Sequence, residues 1–308
     1  MNRITLPVMD TLMATPRNAL NRQHPFVARL LQHVDLSAAD LDSLDGIVDG
    51  ELSIRRRRDL IIDGYEYRKL CFLKDGYAVR YKLLRNGKRQ ILNVVLPGDI
   101  IGLPGSFYER AVYSVTAITD LCMHVCALDS YVQLCYRRPQ FGLALSWIAV
   151  QEATTYAEHV IDVGRRAPIE RLSHFLLELH ARLLAVGRAE ATRFTLPFSQ
   201  EVMADVLGLS VPHLNRMMQR LRAEKLIADR ERTVEFVDAA AMQALAHYQP
   251  QALAPIPLPV RASRRPLPRC GMTCARWRLN TASRKVPPRD ESLRGMRWAA
   301  RSTRSSTG

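Results

Sequence analysis

The chain has 308 residues, 47% of them hydrophobic, and a formal net charge of +14. That length suits about two domains, each able to bury a core. No apolar run approaches the roughly 18 residues of a membrane span, and six cysteines are too sparse for a disulfide scaffold.

The charge is unevenly placed. Residues 251–308 hold 13 Lys and Arg against 2 Asp and Glu, whereas the preceding 250 residues hold 31 against 28. The polyanionic partner that a large positive charge suggests therefore rests mostly on the tail.

In chain order, residues 1–24 mix Pro, Asn and Arg without a sustained period and read as a flexible N-terminus. They lack the apolar core of a secretory signal, which fits a cytoplasmic protein. A short helical pair follows, Pro25 to Val34 and Ser37 to Asp45, with Ser37 as N-cap. From Glu51 to Asp129, short runs rich in Ile, Val, Leu and Tyr alternate with turn signals such as Asp75-Gly76, Asn86-Gly87 and Pro97-Gly98-Asp99. That spacing predicts an antiparallel barrel or roll rather than βαβ units. Val79 to Leu84 and Arg89 to Val95 form a hairpin, for which Asn86-Gly87 suggests a type I′ turn.

The period then lengthens. Leu145, Ala149, Ala153, Tyr156, Val160 and Val163 recur at spacings of 3 and 4 between Pro139 and Gly164. This is the seam of a long helix that pairs with another helix, the expected dimerisation element. Ala167-Pro168 ends it, and Ile169 to Val186 resumes as an amphipathic helix.

Ser199 to Leu221 read as two short helices joined by a tight turn, a helix-turn-helix. Met203, Leu207, Leu209, Leu214 and Met217 supply the shared core. Ala204 permits close approach, and Gly208 suits a left-handed turn position. Ser199 and Ser210 are the N-caps. Leu214, Met217, Met218 and Leu221 face inward, which leaves Pro212, Arg216, Gln219 and Arg220 outward, flanked by His213 and Asn215. Arg216, Asn215 and His213 are the candidate base readers. Ser199, Gln200, Ser210, Arg220, Arg222, Arg230 and Arg232 are the candidate phosphate contacts. Ile227 to Val237 alternate about Arg230-Glu231-Arg232 as a two-stranded wing, and Ala239 to Tyr248 close the domain as a helix. Residues 250–308 have frequent Pro and Arg with no apolar period and read as a disordered basic tail.

The expected fold class is α+β: an antiparallel β-roll of the double-stranded β-helix type, a long dimerisation helix, a winged helix-turn-helix and a tail. The expected units are 25–138, 139–164, 165–249 and 250–308, after the N-terminal 1–24. That order resembles the Crp/Fnr family of bacterial transcription regulators from about residue 25 to 248. IRRRRDLIIDGYEYRKLCFLKDGYAVRYKLLRNGKRQILNVVLPGDIIGL is similar to the family's cyclic-nucleotide-binding-type roll, and LGLSVPHLNRMMQRLRAEKLI to its DNA-reading segment. The resemblance implies a homodimer, palindromic sites in double-stranded DNA and contact with RNA polymerase, with Arg216 at the guanine-reading position. Pro212 departs from the Glu found there in many members.

The sensor half departs as well. Nucleotide binders of the family carry a carboxylate where Leu103 stands and an Arg with a hydroxyl residue where Ala111 to Ser114 run. Cyclic AMP is not expected, and Arg110 alone does not replace that set. Residues 1–50 contain no cysteine for the family's iron–sulfur cluster, so that cofactor is not expected either. Cys122, His124 and Cys126 share one strand face, with Cys135 not far along; metal or redox sensing is one reading of them, and core packing is the plainer one. The Arg55 to Arg58 run reads as a solvated turn. No catalytic grouping stands out, so no enzyme is expected. The rival reading is a ligand- or partner-binding sensor module with a vestigial DNA-binding domain.

Overall fold

The computed structural model describes residues 12–13, 19–103, 105–196 and 198–249. The tail expected at 250–308 lies outside the described residues, with Cys270 and Cys274, as does most of the N-terminal stretch.

The strands of the N-terminal half are β1 (Leu12–Met13), β2 (Gly50–Ile54), β3 (Asp59–Ile61), β4 (Lys69–Asp75), β5 (Ala78–Leu83), β6 (Arg89–Val95), β7 (Ile100–Ile101), β8 (Ser114–Ala117) and β9 (Leu121–Ala127). They form two antiparallel sheets, ordered β1-β2-β9-β4-β7 and β3-β8-β5-β6. Ile54, Leu60, Cys71, Leu73, Ala78, Val95, Val115, Met123 and Val125 pack together as the core of the roll. Two helices, α1 (Pro25–Leu30) and α2 (Ala38–Asp45), cover the outer face of the first sheet, where Phe26 stacks on Phe72 at 4.3 Å. Ser37 and Asp40 form a reciprocal capping box at the start of α2.

The chain then enters α3 (Leu128–Arg137), α4 (Pro139–Gly164) and α5 (Pro168–Ala185). The last part holds β10 (Arg193–Thr195), α6 (Gln200–Leu207), α7 (Val211–Ala223), β11 (Ile227–Arg230), β12 (Thr233–Phe236) and α8 (Ala239–Ala246). A second large core joins the two halves. Val79, Ile91, Val94 and Leu96 of the roll pack with Leu176, Leu179, Phe198 and Met203. Both faces of the β5–β6 hairpin are thus covered by protein at its base, away from the exposed turn at Leu83 and Leu84.

Several expectations change. The hairpin turn is not type I′, because of its two central residues only Gly87 has positive φ, at 77°. Gly87 N–H donates to Leu84 O at 2.9 Å, a three-residue loop with a left-handed glycine in last place. The wing is three-stranded, since β10 adds to β12 in the order β10-β12-β11. Within the stretch expected to be flexible, residues 19–24 are fitted to the fold, with Leu20 and His24 buried. On α4, Ala149, Ala153, Val160 and Val163 are exposed, whereas Leu145 packs against the core under α3 and the half-buried Tyr156 lies within 3.5 Å of Arg80. An exposed stripe at spacings of 3 and 4 runs through Leu143, Ser146, Val150, Ala153, Ala157 and Val160, and shares Ala153 and Val160 with the expected seam.

Candidate nucleic-acid interface

The floor of the site is α5, whose Leu172, Leu176 and Leu179 are buried against the two shorter helices. From α6 come Met203, Ala204 and Leu207, and from α7 come Leu214, Met218 and Leu221, all buried. Gly208 ends α6 at φ 62°, a left-handed C-cap that turns the chain sharply into α7. Arg171 of α5 donates to Leu207 O at 2.5 Å and so satisfies one of the carbonyls left open at that helix end. Pro212 sits in the first turn of α7, where its missing N–H removes no helical bond.

Burying one stripe of α7 exposes the other. Pro212, Arg216, Gln219 and Arg220 are exposed, and His213 and Asn215 are half-buried beside them. The arginines differ in what they already hold. Arg220 pairs with Glu224 at 2.7 Å and Arg222 with Asp229 at 3.2 Å. Arg216 has no ion pair among the described residues. Arg230 and Arg232 are exposed at the wing turn, where Glu231 and Arg232 both have positive φ, 49° and 70°. Ser199 and Ser210 occupy the N-cap positions of α6 and α7 with extended backbone, but neither side chain makes the capping bond. Glu201 is held below the usual carboxylate range by a hydrogen bond from Ser199. The Ser210 hydroxyl, at the exposed start of α7, is open to another acceptor or donor.

A Crp-like helix-turn-helix domain matches residues 170–245, and a cyclic nucleotide-binding domain matches residues 51–137. The nitrogen fixation regulation protein FixK of Bradyrhizobium diazoefficiens is 32% identical over 172 residues, covering 56% of this chain and 71% of that protein. The chain belongs to the Crp/Fnr family of transcription regulators. Another member, the transcriptional activatory protein AadR of Rhodopseudomonas palustris, is 32% identical over 56% of this chain and 72% of its own length. Among solved structures, FixK2 from Bradyrhizobium japonicum superposes with a TM-score of 0.58 at 25% identity, over 63% of this chain and 96% of that one. A CooA mutant from Carboxydothermus hydrogenoformans shares the fold at a TM-score of 0.55 and 15% identity, over 71% and 94% of the two chains. These relatives are regulators, and this chain is a DNA-binding regulator rather than an enzyme.

Crp/Fnr membership raises the question of a cyclic nucleotide, and the residues of the roll do not fit one. Leu103, where a carboxylate would hold the ribose, is buried among apolar side chains. Arg110 is exposed and donates outward to Gly64 O at 2.9 Å. The Tyr113 hydroxyl donates to Leu103 O across the space between these two segments. Among the described residues no group of three or more metal-ligating side chains is gathered. Cys71 and Cys126 are buried, and burial pushes both thiols up, Cys71 to about 11, away from thiolate chemistry.

Three polar junctions tie this Crp/Fnr sensor half to its DNA-binding half. Asp99, from the Pro97-Gly98-Asp99 turn, pairs with Arg29 of α1 at 2.5 Å and Arg182 of α5 at 2.7 Å. Burial raises its pKa, but Arg182 and Arg29 outweigh burial and hold it below the usual range. Gly98 is required there by its φ of 93° and by close approach, since a Cβ would lie 3.1 Å from Pro25 O. At the hairpin, Arg89 donates to Asp205 of α6 at 3.0 Å. At the α4–α5 junction, His174 lies 3.2 Å from Asp162 and Arg166 lies 2.7 Å from both Asp162 and Glu158. Sequence reasoning found none of these junctions, because the sequence does not show which charged residues the fold brings together.

Proposed function

We propose that the chain acts as a cytoplasmic homodimer on two-fold symmetric promoter sites, with α7 of each protomer in a major groove. Arg216 reads a guanine, since its forked donors meet O6 and N7 together. Asn215 and His213 reach neighbouring base edges. Ser199, Gln200, Ser210, Arg220, Arg222, Arg230 and Arg232 hold the flanking phosphates and fix register. The single observation that carries this reading is the exposed Arg216, without an ion pair among the described residues, on a helix whose other side is locked in the core. The dimer forms along the outward apolar stripe of α4, and the bound dimer contacts RNA polymerase. Residues 25–138, 139–164 and 165–249 serve as sensor roll, dimerisation helix and DNA-binding domain.

Pro212 cannot accept a hydrogen bond from cytosine, so the half-site differs from that of members with Glu at this position. Selection from randomised duplexes with the full chain tests the reading. The enriched sequences should be inverted repeats whose half-site centres lie about one helical turn apart. Enrichment of no sequence, or of a single asymmetric element, refutes it.

A further inference from the structure

Among the described residues, Arg80 is the largest side chain that the fold buries completely. On β5, Val79 faces the core shared with the DNA-binding half, so Arg80 turns into the roll. Its Nη2 donates to Ile100 O at 2.6 Å and to Glu152 Oε1 of α4 at 3.2 Å. Its Nη1 also meets Glu152 Oε1 at 3.2 Å and lies 3.5 Å from the Tyr156 hydroxyl. The guanidinium carbon stands 5.6 Å from the centre of the Tyr113 ring, within cation–π range. Burial works against the charge, but Glu152, Tyr113 and Tyr156 outweigh it, so the group stays protonated.

Stability does not account for such a pair. A buried ion pair often contributes no more than apolar residues of the same volume, while removing one partner strands the other charge. Here Nε also lacks an acceptor among the described residues. What the pair does supply is position. Its partners come from β7, from the residue just before β8, and from α4. The first two belong to Ile100–Leu103 and Ala111–Ser114, the segments where nucleotide binders of the family hold their ligand. The grip also passes onward. Gln151, next to Glu152, accepts from Arg29 at 3.3 Å, and Arg29 shares Asp99 with Arg182 of α5.

We propose that Arg80 is a built-in stand-in for an effector: a positioning residue that grips Glu152 from inside the roll and fixes α4 for DNA binding without a small molecule. This rests on the regulator reading above. The outward stripe of α4 is then set by the chain's own cation, and cyclic AMP has neither a carboxylate to meet nor a free arginine to bind.

The test is equilibrium binding of the full chain to the duplex that selection yields. Wild type, Arg80→Gln, Glu152→Gln and the double variant are compared, with thermal melts to establish folding. Wild type should bind equally well with and without saturating cyclic AMP. Each single variant should lose about tenfold in DNA affinity, within the usual range of coupling between sites. The double variant should lose no more than either single, since both remove one contact. Singles with wild-type DNA affinity, losses that multiply in the double, or a wild type that needs cyclic AMP would overturn the proposal. If Arg80→Gln does not fold, Glu152→Gln and Glu152→Ala decide it from the helix side, and unchanged DNA affinity in both refutes it. A wild type that selects no sequence at all instead refutes the regulator reading, a separate outcome.

Discussion

Arg216 and its neighbours on α7 carry the same charge but not the same freedom. Arg220 and Arg222 already hold Glu224 and Asp229, whereas Arg216 is exposed and has no ion pair among the described residues. Arg216→Ala should therefore remove about 1–3 kcal/mol of discrimination at one base pair per half-site, with nonspecific binding retained. Competition binding with singly substituted duplexes reads this, and unchanged selectivity contradicts the role. Histidines give a second expectation. His24 Nδ1 accepts from Phe26 N–H, and His33 Nδ1 accepts from Trp147 Nε1–H, so both must be neutral. Burial, followed by His124, Lys74 and Arg188, lowers His24 to about 3, while burial and Arg29 lower His33 to about 4. Neutral rings in the fold against about 6.5 unfolded mean that stability is full above that pH and is lost as pH falls. Between pH 6.5 and 5 the loss is at most about 2 kcal/mol per histidine, and a urea midpoint equal at pH 5 and 7 would contradict it. Arg80 was not legible in the sequence. Alternation on β5 leaves open which face is inner when both faces are covered, and a charged residue reads as the solvent side.

At the scale of elements, legibility followed local chemistry. The helix-turn-helix is plain because its core spacing and its glycine lie within 23 consecutive residues. The Ser37 cap and the β5–β6 hairpin are equally local. By contrast, α3 follows β9 without a turn signal, its N-cap Ala127 having no capping side chain, and three-residue β10 exists only by pairing with β12. Two of the six α4 seam residues, Leu145 and Tyr156, turn toward the chain's own core for a different reason. The helix is apolar on the side that meets the roll and also on its outward stripe, so the period fixes a helix but not the partner of each face. The outward stripe yields the element-scale prediction. Ala157→Glu combined with Val160→Glu should convert the dimer to monomer in sedimentation experiments while the melting temperature of the fold stays within a few degrees. A persistent dimer would place the interface elsewhere.

Across the whole molecule, the roll and the DNA-binding half share one core, and Asp99, Arg89 and His174 add polar ties across it. The core that seats α7 is thus continuous with the β5–β6 hairpin, while α4 is held on the roll by Phe141, Ala144 and Ile148 and by the Arg80–Glu152 pair. The net charge of +14 has little part in this, since residues 251–308 hold most of it. Specific binding has to come from the fitted faces of α7 and the wing rather than from charge alone. The most direct measurement is a salt titration of the full chain on its selected palindromic duplex and on a scrambled duplex of the same composition. Affinity for both should fall linearly with the logarithm of salt concentration, with the palindrome held at least about 10³-fold more tightly. Equal affinity for the two duplexes across the salt range would contradict the account.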